Sequence, residues 1–421
     1  MFKKTTLKNG FRIITAPMPG AKNLTVLVMA GVGSRYENKK NNGLSHFLEH
    51  MMFKGTVKRP QAIDISKELD SVGAIYNAFT SKEYTGYFVK AAAQHDNLIL
   101  DVISDIFLNS TLKKEEIDRE RNVIIEEINS YLDDPDRYIG FLFERLLYGD
   151  QPVGWDIAGQ KENIRKIQHK DFVKYLSNFY RAKNVVVIAA GAVTDSFIPK
   201  IDDYFSGIRP GASPQKAKVI EKQNRPEGLM HFRKDNQAQV SLGVRAYSLN
   251  HPWRFGLDLL STILGNGMSS RMFIKIRERK GLAYTVFTDY SEFSDSGYLT
   301  TYVGLAPKNA EQAINLILEE YRDIAQNGVG EEELKKAKEF IKGRLSLNLE
   351  TSNAVAIFLG MQELQRKEIL SPKEFAEKID AVSASDIQKI AKDIFRPEKL
   401  NLALIGPFKK KDKFLKLLNK F

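Results

Sequence analysis

The chain carries one pattern twice, and this duplication constrains its fold more than any other feature. Phe179-Tyr180-Arg181-Ala182-Lys183-Asn184 runs into the apolar stretch Val185-Val186-Val187-Ile188 and then Gly191. Phe395-Arg396-Pro397-Glu398-Lys399 leads likewise into Leu402-Ala403-Leu404-Ile405 and Gly406, with Arg181 and Arg396 standing 215 residues apart. Tyr76-Asn77-Ala78-Phe79-Thr80 recurs after 208 residues as Tyr284-Thr285-Val286-Phe287-Thr288. Two anchors in the same order at nearly one offset indicate a duplicated domain. A chain of 421 residues suits two such copies, each large enough for a core of its own.

Between the copies, Arg209-Pro210-Gly211-Ala212-Ser213-Pro214 opens a polar run to Gly228 without periodicity, which reads as a linker. The expected organisation is a first domain over 1–207, a linker over 208–228 and a second domain over 229–421. Each copy reads strand, strand, helix, strand, helix pair, helix, strand. Apolar stretches rich in branched and aromatic residues predict strands at Phe11 to Thr15, Thr25 to Met29, Tyr84 to Val89, Val240 to Val244 and Tyr298 to Val303. Helical periodicity covers Leu98 to Asn109, Lys114 to Tyr131 and Ala310 to Ala325. Consecutive strands lie close enough along the chain to pair antiparallel. The expected class is therefore α+β, each domain a largely antiparallel sheet packed against helices.

Composition removes several chemistries. With no cysteine, the chain has no disulfide framework, thiolate zinc site, iron–sulfur cluster or cysteine nucleophile, so a metal must be held by His, Asp or Glu. The net charge of +11 hints at polyanions, but basic residues are mixed with acidic ones, as in Lys113-Lys114-Glu115-Glu116. The densest basic cluster, Lys409 to Lys420, is not interleaved with stacking aromatics, and no nucleic-acid partner is expected. Apolar runs such as Val185 to Ala190 are too short to span a bilayer. The N-terminus passes from Lys3-Lys4 into Thr-Thr-Leu-Lys-Asn-Gly without the apolar core of a secretory leader, so a cytoplasmic location is expected.

Two of only six histidines fall within five residues, in His46-Phe47-Leu48-Glu49-His50, a specific H-x-x-E-H motif. Gly43-Leu44 before it, and Phe47, Leu48, Met51, Met52 and Phe53 through it, predict a buried helix. Residues four apart share a helix face, so both imidazoles can converge on one ion, with Glu49 near the same face. A catalytic zinc takes three protein ligands and leaves a place for water, so a third ligand is required. The predicted helix through Glu120-Arg121-Asn122-Val123-Ile124-Ile125-Glu126-Glu127-Ile128 supplies candidates. Glu120 and Glu127 are seven apart and share a face on which Val123 and Ile124 are expected to lie. Carboxylates on an apolar face need a partner, and a dication is one. Glu127 is the expected ligand and Glu120 the group that orients a liganding histidine. Glu126, whose face holds Arg119, Asn122 and Ser130, reads as a solvated glutamate.

On these residues the chain resembles the M16 metallopeptidases, the inverzincin group that includes pitrilysin, insulin-degrading enzyme and mitochondrial processing peptidase. In that family the glutamate ligand follows H-x-x-E-H by about 76 or 77 residues, inside E-R-x-V-x-x-x-E. Here Glu127 lies 77 residues after His50, in Glu120-Arg121-Asn122-Val123 to Glu127. Arg277-Glu278-Arg279-Lys280-Gly281-Leu282-Ala283-Tyr284 matches the family's Arg and Tyr seven apart. The resemblance spans nearly the whole chain and is closest to short two-domain members that act as dimers. It implies a zinc endopeptidase with one Zn2+ per chain held by His46, His50 and Glu127, and with Glu49 as the proton acceptor. It also implies Arg277 and Tyr284 as groups that hold the reacting carbonyl, and a sheet-edge strand, Asn77-Ala78-Phe79-Thr80, that binds peptide substrate. A homodimer is expected, with a related second subunit as the heterodimeric variant.

The second copy lacks the metal residues. Aligning Gly43-Leu44 with Gly256-Leu257 sets Leu259, Thr262 and Ile263 where the first copy has His46, Glu49 and His50. The competing reading is a non-catalytic or partner-dependent subunit of a processing-peptidase-like assembly. Silent subunits of that kind lose ligands, whereas His46, Glu49, His50, Glu127, Arg277 and Tyr284 are all present here.

Overall fold

Branched aliphatic stretches form the centre of two sheets. The structure, a computed structural model, describes residues 2–212, 215–366 and 368–421, so Ser213 and Pro214 of the linker lie outside the described residues. The first sheet holds β1 (Lys3–Thr6), β2 (Arg12–Pro17), β3 (Asn23–Ala30), β4 (Ile75–Thr80), β5 (Thr85–Ala92) and β6 (Val185–Gly191), in the order β1-β2-β6-β3-β5-β4. The second holds β7 (Glu227–Phe232), β8 (Ala238–Ala246), β9 (Ala283–Glu292), β10 (Gly297–Leu305) and β11 (Leu400–Gly406), in the order β7-β11-β8-β10-β9. Removing β1 makes the two orders equivalent, with β6 answering to β11 and β4 to β9. The duplication read from the sequence is therefore a duplication of topology. In each sheet one pair is parallel, β2 with β6 and β7 with β11, and the rest are antiparallel. β6 and β11 are buried at every position, because neighbours flank both edges and helices cover their faces.

The expected order of elements has one strand after the first helix; the structure has a hairpin there, β4 and β5, joined through Ser81 to Tyr84. The helices of the first half include α1 (Leu44–Met52), α2 (Ala62–Asp70), α3 (Asp96–Asn109), α4 (Lys114–Asp133) and α5 (Pro135–Tyr148). Between Tyr204 and Glu227 the described residues form no helix or strand. That stretch is nonetheless tied down. Arg35 donates to Ala217 O, Lys216 pairs with Glu83, and Ile220 N donates to Gln151.

The chain divides into two compact units. The first comprises Met1–Asn129, Trp155–Ala217 and Leu347–Ile369, and the second Ser130–Gly154, Lys218–Ser346 and Leu370–Phe421. Each unit thus takes one helical segment from the other half of the sequence. In the first, the helix Ser352–Gln365 lays Ala356 and Leu359 against Ile14, Leu27, Met29 and Ile188. A Cβ on Gly360 would stand 2.4 Å from Met29 Sδ and 2.9 Å from Ile188 Cδ1, so this helix lies close on the sheet and a side chain there would have to displace both. In the second, α5 lays Ile139, Leu142, Phe143 and Leu147 against Tyr298, Tyr302, Ala403 and Ile405. Each of the buried Ile, Leu, Phe and Met side chains among these contributes roughly 1.5–3 kcal/mol by leaving water. Among the described residues no helix is long and apolar enough to cross a membrane.

Candidate metal and peptidase site

The motif helix begins at a built corner. Gly43 takes a left-handed conformation, φ 101°, immediately before α1, and a Cβ there would press to 2.7 Å from Ala158 O. The orphan amides of the first turn are met by Glu37, whose carboxylate accepts from Gly43 N at 2.8 Å, Ser45 N at 2.6 Å, Ser45 Oγ at 2.5 Å and Asn42 Nδ2 at 3.1 Å. Burial pushes the Glu37 carboxyl up to about 7, against the pull of these hydrogen bonds. Phe47, Leu48, Met51 and Met52 point into the core, and Phe47 meets Phe172 edge to face. The polar face of α1 is left with His46, Glu49 and His50.

α4 brings the carboxylates. Its buried ridge is Ile117, Glu120, Ile124 and Ile128. At roughly 100° per residue, Glu127 lies about 65° from the centre of that ridge, Val123 about 105° and Glu126 about 165°. Accordingly Glu120 is buried, Glu127 is partly buried, and Glu126 is exposed and accepts from Asn129. Val123 departs from expectation: it is 51% exposed rather than packed between the two carboxylates, because the apolar ridge is centred on Ile124.

Three donor atoms converge. His46 Nε2 and His50 Nε2 are 3.3 Å apart, and Glu127 Oε2 stands 3.6 Å from the first and 3.5 Å from the second. Ligands at about 2.0–2.1 Å from a tetrahedral zinc stand about 3.3–3.4 Å from one another, so this triangle has the size of one face of such a site. Behind it, His50 Nδ1 donates to Glu120 Oε1 at 2.8 Å, which turns the lone pair of Nε2 toward the triangle. Glu120 Oε2 also accepts from Lys54 Nζ at 2.6 Å. His46 Nδ1 is buried without a hydrogen-bond partner, so of the two rings only His50 is set by a carboxylate.

The electrostatics separate the groups. Burial, and then the charge of His50, lower the His46 pKa to about 4, so this imidazole is neutral. For His50, burial pulls down but is outweighed by the Glu120 hydrogen bond and by the charges of Glu49, Glu120 and Glu127, and its pKa rises. Burial likewise opposes ionisation of Glu120, yet His50 and Lys54 hold its carboxyl below the ordinary range. Glu49 is raised, chiefly by burial, while the Thr80 hydrogen bond and His50 pull the other way. Thr80 Oγ1 donates to Glu49 Oε2 at 2.5 Å.

β4, which carries Asn77, Ala78, Phe79 and Thr80, is the last strand of its sheet and, among the described residues, pairs only with β5. Arg277 and Tyr284 belong to the second unit. Arg277 lies near the end of a π-helical turn, Phe273–Glu278, with its Cζ 4.7 Å from the Phe273 ring centroid and 4.8 Å from that of Tyr284. Tyr284, on β9, is 82% exposed. Neither the guanidinium of Arg277 nor the hydroxyl of Tyr284 has a hydrogen-bond partner among the described residues.

Residues 12–159 match the family model described as Insulinase (Peptidase family M16), and residues 166–341 match the one described as Peptidase M16 inactive domain. The chain belongs to peptidase family M16. Among M16 relatives, the uncharacterized zinc protease YmxG of Bacillus subtilis is 36% identical over 408 residues, covering 97% of this chain and 98% of the relative. An uncharacterized zinc protease of Streptomyces coelicolor is 34% identical over 418 residues, covering 97% and 90%. Among solved structures, a protease from Helicobacter pylori superposes with a TM-score of 0.90 at 24% identity, covering 97% of this chain and 99% of that one. A peptidase M16 inactive domain from Pseudomonas fluorescens gives 0.89 at 16%, covering 97% and 98%. At these identities the structural likeness is one of fold.

In this M16 chain three supporting residues had no signal in the pattern of the motif. Glu37 precedes the helix it caps by seven residues and belongs to no periodic stretch. Lys54 follows His50 by four residues, on the face that meets Glu120, but reads as an ordinary lysine at a helix end. Tyr175, whose hydroxyl lies 2.6 Å from Ser45 Oγ, is distant in sequence. In the second unit, Leu259, Thr262 and Ile263 are all buried in the helix Arg254–Gly265, so the place that answers to the histidine pair of the first copy is filled by core in the second.

Proposed function

We propose that this chain is a zinc-dependent endopeptidase that hydrolyses peptides or unfolded protein segments, with one zinc per chain held by His46, His50 and Glu127. The observation that carries the reading is the triangle of Nε2, Nε2 and Oε2 atoms at 3.3–3.6 Å, backed by the His50–Glu120 bond and flanked by Glu49. When bound, zinc supplies a Lewis acid and lowers the pKa of a coordinated water to about 7. Glu49 takes the proton of the attacking water and later delivers it to the departing amine. Glu120 keeps the proton of His50 on Nδ1, so that Nε2 remains a ligand. Arg277 and Tyr284 donate to the carbonyl oxygen of the scissile peptide as charge develops on it. The open edge of β4 receives substrate as an added strand along Asn77 to Thr80. The working form is a homodimer in which a partner copy contributes Arg277 and Tyr284.

The test is reconstitution. Protein stripped by a chelator should be inactive on an unstructured peptide, and about one zinc per chain should restore cleavage. Glu49→Gln should retain the zinc and lose turnover by about 10²- to 10⁴-fold. Cleavage that survives with no metal detectable refutes the reading. A zinc-loaded, folded protein that cuts no peptide would instead indicate a non-catalytic subunit.

A further inference from the structure

We propose that Thr80 is a positioning residue for Glu49, so that the strand offered to the substrate also sets the angle of the base. The proposal rests on the peptidase reading and deepens it. Side chains alternate along β4. Phe79 faces the apolar cluster under the helix Ser352–Gln365, whereas Tyr76 and Thr80 face α1, where Tyr76 packs near Phe53 and Thr80 reaches Glu49. The Thr80 hydroxyl donates its one proton to Glu49 Oε2 at 2.5 Å. Glu49 Oε1 has no hydrogen-bond partner among the described residues. One carboxylate oxygen is therefore anchored, and the other is left to accept a proton from water and return it to the leaving amine.

The anchor matters because the last torsion of a glutamate is broad and roughly two-fold, so an unheld carboxylate samples many orientations. A threonine on a strand is the reverse case, stiff at χ1 because it is β-branched. β4 is held by β5 on one side only, so an extended peptide added at its free edge would rigidify the strand from which Thr80 reaches. Thr80 keeps its backbone place on the strand edge, but its side chain takes no part in holding the peptide. Its hydroxyl proton is already committed inward.

The experiment compares Thr80→Val, which keeps the shape and removes the donor, with Thr80→Ser, which keeps the donor. It reads zinc content, kcat and KM on an unstructured peptide. Thr80→Val should retain its zinc and lower kcat by about 10- to 100-fold, with KM within about twofold. Thr80→Ser should restore most of that loss. In a Glu49→Gln background, Thr80→Val should change the residual rate by less than about twofold, because its route of action is gone. A Thr80→Val enzyme with wild-type kcat overturns the proposal, as does a raised KM with kcat unchanged, which would assign the hydroxyl to substrate. Should Thr80→Val fail to fold, Thr80→Ala takes its place, and equal rates for Ala and Ser overturn the proposal. If Glu49→Gln itself is fully active, the assignment of Glu49 as the base has failed, which is a separate result.

Discussion

Glu120→Gln isolates the contribution of the group behind the proposed metal ligands. Two donors converge on this carboxylate, His50 Nδ1–H at 2.8 Å and the Lys54 ammonium at 2.6 Å. A glutamine can accept from only one of them. If its oxygen faces His50, its NH2 group is driven against the ammonium; if the amide flips, the His50 Nδ1–H loses its partner and the ring its orientation. The expected loss is therefore the full effect of removing an outer-shell carboxylate, about 10- to 100-fold in zinc affinity. That corresponds to about 1.4–2.8 kcal/mol. The pH dependence carries a second signature. In the metal-free wild type, burial pulls the His50 pKa down, but the Glu120 hydrogen bond and the nearby carboxylates raise it above its ordinary 6.5. Zinc must displace that proton, so apparent affinity falls about tenfold per unit below the His50 pKa. Without the Glu120 charge the pKa drops, and the decline of the variant starts at lower pH. The two affinity curves should thus be furthest apart near pH 8 and converge toward acid. Chelator competition from pH 6 to 8.5 measures both curves. Equal affinities at pH 8, or a gap that widens toward acid, would refute the reasoning.

Three further outcomes are expected. Glu127→Gln should release zinc under conditions in which Glu126→Gln retains it, since Glu127 Oε2 is 3.5 Å from His50 Nε2 while Glu126 is exposed; zinc loss from Glu126→Gln alone would contradict the ligand set. Glu37→Gln should lower stability by about 1–3 kcal/mol in denaturant unfolding, because an amide cannot accept from all the donors that now meet the Glu37 carboxylate, and an unchanged midpoint would remove its capping role. His50→Ala and Arg277→Ala should each be nearly inactive, yet after subunit exchange about half the dimers are mixed, each with one intact site. About a quarter of wild-type activity should then return; none returning after proven exchange would place both half-sites in one chain.

Much of the local chemistry was legible because it depends on short spacings. Four residues separate His46 from His50, and helical periodicity alone sets them on one face. The same periodicity separates Glu120 and Glu127 from Glu126, and the structure places Glu120 and Glu127 near the histidines and leaves Glu126 exposed. The reading failed by one position at Val123, since sharing a face with two carboxylates says nothing of where the apolar ridge is centred. Thr80 was legible as part of a strand, but not as the donor to Glu49, because the pairing crosses from a strand to a helix 31 residues away.

Taken alone, the sequence determined the duplication, the class of fold and the asymmetry between the copies, because repeats, strand composition and lost ligands are written in residue identity and order. The tertiary structure decided which helix covers which sheet. Ser352–Gln365 lies on the sheet of the first half and α5 on that of the second, so neither sheet is completed by its own stretch of chain. An apolar helix face specifies that it must be buried, not where. Shape helps make the choice, as at Gly360, where a single added carbon would have to displace Met29 and Ile188. The same holds for Tyr175, whose hydroxyl reaches Ser45 Oγ at 2.6 Å only because the fold brings together residues 130 apart in the chain.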